Sequence, residues 1–174
     1  MKKYLLIFTL FIWGTSFAQT TLKIGYVDSE VILSQFSESI KAQGDLDAIT
    51  SKWTSQLDSM TQAYQASIQD YQKKAETMPD DKKLEAQQRI IKMEQEILDF
   101  RRQKFQQGTG EIFKKQEEIF APVKKKIYEA IKKVAKEENM SFVFDKSGDI
   151  LLLYADEAFE ITFKVLDTLK RGIN

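Results

Sequence analysis

The sequence predicts an α+β protein in which a small strand-containing body, made from both ends of the chain, carries a long antiparallel α-helical hairpin. Three observations predict this. Apolar residues recur at helical spacing along a central stretch too long for a compact domain, and short β-rich apolar runs lie near both ends. The chain is also 30% charged, with only two prolines and seven glycines to interrupt helices.

Lys2 and Lys3, an apolar run from Tyr4 to Trp13 broken only by Thr9, and small residues at Ser16 and Ala18 form a secretory signal, with cleavage expected after Ala18. The run falls well short of the ~20 residues that cross a bilayer, so it reads as a signal and not as an anchor. The mature chain is therefore expected to be soluble and outside the cytoplasm. It contains no cysteine, which leaves no site for lipid modification and no disulfide, so packing or association must hold it together.

Leu22 to Val27 reads as a strand, after which Asp28 or Ser29 can cap a short helix ending at Phe36. A long helix follows from about 39 to 77. Its apolar positions are Leu46, Ile49, Trp53, Leu57, Met60, Tyr64, Ile68, Tyr71 and Ala75, a three-four-four spacing that repeats every eleven residues. Such a repeat gives about 3.67 residues per turn, so the stripe stays on one side of a helix roughly 60 Å long and needs a partner throughout. The partner is next in sequence. Met78-Pro79-Asp80-Asp81 reverses the chain, with proline suited to a helix start and the aspartates to its positive end.

The returning helix carries Leu84, Ile91, Leu98, Phe105, Ile112 and Ile119 at intervals of seven, which predicts the seam that meets the first helix. Gln88, Gln95 and Arg102 interrupt that seam, so the pair should be loosely held, with a bend near Gly108 and Gly110. Pro122 predicts a helix boundary near Phe120. Beyond it Val123, Ile127, Ala130, Ile131 and Val134 make a denser apolar face ending near Asn139. Ser141 to Asp145, a turn at 146–149 and Ile150 to Tyr154 predict a β-hairpin buried on both faces. Thr162 can cap a last helix, Phe163 to Arg171, with Gly172 just past its end. The resulting division is a signal at 1–18, a body from 19–38 plus 120–174, and a hairpin at 39–119 with its tip near 77–82.

Function classes narrow by absence. Without histidine or cysteine the chain lacks the commonest general base, the thiol nucleophile and most zinc ligand sets, and it has no glycine-rich phosphate loop. No catalytic, cofactor-binding or metal-ligating residue is expected, and no cofactor. Net charge is zero, too little positive excess for nucleic acid.

What remains is surface. From Asp28 to Asp70 there are seven acidic residues and two lysines, whereas Lys73 to Lys104 holds nine basic and seven acidic residues. The ordinary meaning of such a layout is a solvated helix surface. A basic tip would also attract acidic polypeptide or anionic lipid headgroups, which fits weak contact with a membrane surface, although the excess is small. The aromatic residues of the stripe belong first to helix packing; those that are not covered offer apolar contact, and Met60, Met78 and Met93 suit irregular partners. The candidate contact residues are thus Met60, Tyr64, Tyr71, Lys73, Lys74, Met78, Lys82, Lys83, Arg89 and Met93.

Several blocks resemble the Skp/OmpH-like periplasmic chaperone family. They are Ile24-Gly25-Tyr26-Val27-Asp28 behind a signal, Ala121-Pro122-Val123 running to Val134-Ala135-Lys136, Phe142-Val143-Phe144-Asp145 with Ser147-Gly148, and Tyr154-Ala155-Asp156 followed by Ile161-Thr162 and Val165-Leu166. The middle matches in length and character only. Glu160 departs from the aspartate usual before Ile-Thr. The resemblance implies a homotrimer, with Ile24, Tyr26, Phe142, Phe144, Leu151 and Leu153 in a shared strand body and three hairpins hanging like the tentacles of a jellyfish around a cavity. It further implies a periplasmic, ATP-independent holdase for unfolded outer-membrane proteins. The rival expectation is a structural or adaptor coiled coil of the envelope that binds one folded partner at the tip.

Overall fold

The structure, a computed structural model, describes residues 22–148 and 152–172. The expected signal with its cleavage after Ala18, residues 149–151 and with them Leu151 lie outside the described residues.

Strand β1, Ile24–Val27, leads into helix α1, Ser29–Gln35. Asp28 caps that helix as its position predicts: its carboxylate accepts from the Val31 N–H at 3.0 Å. Helix α2, Ser37–Lys74, runs for 38 residues, or about 57 Å at 1.5 Å per residue. Pro79 occupies the cap of α3, Asp80–Phe105, with Asp80 and Asp81 in its first turn. The Gln87 side-chain amide donates to Tyr71 Oη at 2.7 Å, and the rings of Trp53 and Phe105 meet edge to face at 6.1 Å. Sequence position thus falls along α3 as it rises along α2.

The eight stripe residues within α2, and Ala75 at its C-terminal cap, are all buried or partly buried. The phase of α3 differs from expectation. Of the predicted seam in this helix only Phe105 is covered, against Trp53, and Leu84, Ile91 and Leu98 are exposed at 56%, 57% and 43%, while Lys83, Ala86, Ile90, Met93, Ile97, Phe100 and Lys104 are the other covered positions. That set also repeats every seven residues, one position earlier than the predicted seam. It wins because it puts two aliphatics, a methionine and Phe100 opposite α2, whereas the predicted seam alternates with glutamines, whose burial without partners is costly.

Helix α3 ends at Phe105, Gly108 adopts a positive φ of 75°, and α4 runs from Glu111 to Glu137. The glycines therefore separate two helices, and Ile112 and Ile119 belong to the second. Pro122 lies inside α4 and makes no boundary. Val123, Ile127, Ala130 and Val134 of this helix are all buried in the main cluster, and that continuous packing face outweighs the one hydrogen bond that proline removes.

Strand β2, Phe142–Asp145, pairs in parallel with β1, with Ile24 opposite Phe142 and Tyr26 opposite Phe144. This corrects the expected β-hairpin. Residues Leu152 to Tyr154 are not strand, and Leu153 and Tyr154 are 87% and 84% exposed. The reason lies in the turn. Asp145 Oδ1 accepts from the Ser29 N–H, the Ser147 N–H and the Ser147 hydroxyl, and Lys146 N–H donates to the Val27 carbonyl. These bonds tie the end of β2 to the start of α1, and the long helical connection permits a parallel neighbour.

On its other edge Tyr26 bridges to Glu160. Helix α5, Thr162–Arg171, follows, with Gly172 at its end at φ 82° as predicted. Thr162 is not the cap. Ile161 holds that place without a side-chain bond, and Thr162 Oγ1 instead accepts from the Asp28 N–H and donates to Glu160. The core joins α1, α4 and α5 through Ile32, Phe36, Val123, Ala130, Val134, Ile161, Val165 and Leu166.

Candidate functional surfaces

Two surfaces stand out: the helix pair α2/α3, and the outer side of the strand body. In the helix pair the stripe and the covered seam of α3 meet, but most contacts are only half-buried, and Ile97 is the one buried residue of α3. Where the helix is interrupted between α3 and α4, the junction is clamped. Lys104 Nζ lies 5.0 Å from the Trp53 ring centroid and 5.9 Å from that of Phe100, and it donates to Glu111 at 2.5 Å. Gln103 donates to the same carboxylate. The hydrogen bond from Lys104 is the main cause that holds Glu111 below the usual carboxylate range.

Met60, Tyr64, Tyr71 and Met93 face the neighbouring helix as half-buried residues. Tyr71, Met78 and Arg89 come together near the tip, in a groove of about 250 Å³ that Ala66, Ser67, Asp70, Ala86 and Ile90 complete. Lys73, Lys74 and Lys82 are exposed. The tip charge is largely self-neutralised: Lys74 pairs with Asp70, Lys82 with Glu85 and Lys83 with Asp80. The bond from Lys82 leads the causes that lower the Glu85 pKa.

On the body, a groove of about 570 Å³ opens beside β1, lined mainly by apolar groups that include Leu22, Ile24, Phe144, Leu152 and Phe159. Ile24 and Phe142 are exposed and Phe144 is half-buried. Tyr26 differs, being enclosed by its own chain at 7% exposure. Burial, followed by the nearby Glu160 carboxylate, raises its pKa above the usual phenol value. Lys146 stands 5.9 Å from the Tyr26 ring centroid and pairs with Asp28 and Glu160, and the bond to Glu160 is the first cause of its raised pKa. Glu160 therefore reaches both Lys146 and Thr162 and joins the last helix to the first strand.

Sequence reasoning missed the exposed row Leu84, Ile91 and Leu98. It identified these residues by their spacing and assigned them to the wrong side. Among the described residues, no helix is long and apolar enough to cross a membrane.

Comparison with known proteins agrees with this arrangement. Residues 23–169 match the family described as outer membrane protein (OmpH-like). A crystal structure of a candidate outer membrane chaperone (OmpH-like) from Caulobacter crescentus superposes with a TM-score of 0.72 at 13% identity, covering 86% of this chain and 85% of that one, a likeness of fold. No curated protein matches.

Proposed function

The chain belongs to the outer membrane protein (OmpH-like) family, and from that premise we propose that it is an ATP-independent periplasmic holdase. It would act after export and removal of residues 1–18, binding unfolded outer-membrane proteins without a catalytic site or cofactor. The observation that carries this reading is the helix pair itself. Its two long helices are sealed by half-buried residues, and they leave apolar side chains at regular intervals among self-neutralised charges. Unfolded outer-membrane barrels alternate apolar and polar residues, so a diffuse surface of many weak contacts suits them better than one deep pocket.

The proposed assembly is a homotrimer. The body would comprise residues 19–38 and 120–174 and the arm residues 39–119, the arm acting as an antiparallel coiled-coil tentacle at the edge of a shared cavity. Support comes from the apolar groups left uncovered on one chain, Ile24, Phe142 and Leu153 among them, since contiguous exposed apolar surface marks an interaction site. Tyr26 would contribute by shaping the sheet from within. The contact set from Met60 to Met93 remains part of the proposal, with the tip groove around Tyr71, Met78 and Arg89 as its one assembled portion.

Light scattering on the mature protein should give three times the chain mass. The same sample should keep a denatured outer-membrane barrel soluble at near-equal molar ratio without nucleotide. A monomer that leaves aggregation unchanged would end this reading.

A further inference from the structure

Helix α3 carries two heptad rows that lie one position apart. The row through Ala86, Ile90, Met93, Ile97 and Phe100 faces α2, and the row through Leu84, Ile91 and Leu98 faces outward. Single exposed aliphatics are ordinary on any surface. Three large ones held in register over two heptads, each 43% to 57% exposed, form a line instead. Between them lie Gln88 and Gln95, both exposed, with free amide groups that can donate to and accept from a peptide backbone. The charges beside the line cancel within the helix, since Lys82 pairs with Glu85, Lys92 with Glu96 and Arg102 with Asp99.

We propose that this Leu84–Ile91–Leu98 row is the strip on which the helix pair holds an extended, unfolded polypeptide of alternating apolar and polar residues; the inference rests on the holdase reading above. Area argues against a second helix as the occupant. Three half-exposed aliphatics offer on the order of 250 Å², well below the ~800 Å² per partner of a stable protein interface. Charge argues against a strongly acidic or basic partner, because the flanks are neutral. Spacing fits a strand that slides. The apolar groups recur about every 10.5 Å along the helix, whereas same-face residues of an extended chain recur about every 6.8 Å, so no register satisfies all three at once. Such a strip takes many sequences weakly and fixes none.

The test is the triple variant Leu84→Ser, Ile91→Ser, Leu98→Ser, assayed against a urea-denatured outer-membrane barrel diluted into buffer. Its helicity and solution mass should equal those of the wild type while its affinity for the barrel falls about tenfold. In parallel, a photo-crosslinking residue at position 91 should capture the barrel and one at the exposed position Thr54 should not; this arm decides if the variant loses helicity. Unchanged affinity in a folded variant overturns the strip and leaves the holdase reading standing. A change in solution mass also overturns it, by showing that the row binds another copy of the chain. Failure of the wild type to bind the barrel removes both.

Discussion

The body and the helix pair are built from the same kind of amphipathic helix, yet they are sealed to different degrees. In the body, α4 alone buries Val123, Ile127, Ala130 and Val134, and α1 and α5 enclose Ile32 and Val165 completely. Along α2 the buried residues are confined to its start, Ser39, Ala42 and Leu46, and α3 buries Ile97 alone. A helix with two neighbours excludes water from its apolar face, whereas one with a single partner leaves each contact half wet. The difference teaches that stability should reside in the body, while the arm keeps apolar surface available.

The sharpest way to break that comparison is a matched pair of truncations. Ile32→Ala should cost about 3–5 kcal/mol by urea denaturation, because the cavity is fully enclosed, whereas Ile97→Ala should cost nearer 2 kcal/mol. Equal losses would mean that the arm is as tightly packed as the body. Trp53→Ala comes next, at about 2 kcal/mol, since it removes the edge contact with Phe105 and the stacked Lys104 as well as apolar area; a loss confined to the arm should appear in amide hydrogen exchange of α2 and α3, with the body unchanged.

Gly108→Ala should cost about 1 kcal/mol, because a side chain is disfavoured at its positive φ. Thermal melting checks it, and a neutral result would show that the junction relaxes freely.

The smallest effect concerns pH. Burial pushes the Asp145 pKa up, but hydrogen bonds from Ser29 and Ser147 outweigh it and hold the group below the ordinary aspartate value. A depressed folded pKa contributes stability that is present above the unfolded pKa and is lost as pH falls through the folded one. The stability gap between wild type and Asp145→Asn should therefore be full near neutral pH and narrow in acid. A gap that stays constant with pH would show that the carboxylate's charge does not matter there.

Much of this was legible locally. The three-four-four spacing of α2 identified its covered face, because no second row of large apolar residues competes with it along that helix. Asp28, Pro79 and Gly172 marked ends that depend on neighbouring residues only. The blocks at both ends of the chain placed it in its family. Of the candidate contact residues, Met60, Tyr64 and Tyr71 were legible as members of the α2 stripe, but not whether each one faces a helix or solvent. The partner of β2 was hidden as well, since apolar runs beside a turn read equally as a hairpin or as separate strands, and the choice rests on where Asp145 finds its donors.

Helix periodicity and end chemistry are short-range, and the amino-acid order by itself determined where the helices lie, where the long one reverses and which side of α2 is greasy. Only the tertiary structure decided which of two rows on α3 is covered, that Pro122 is absorbed within a helix and that the first strand lies beside the one near the far end. Those outcomes compare the burial of competing surfaces across residues distant in the chain, and no local pattern contains that comparison.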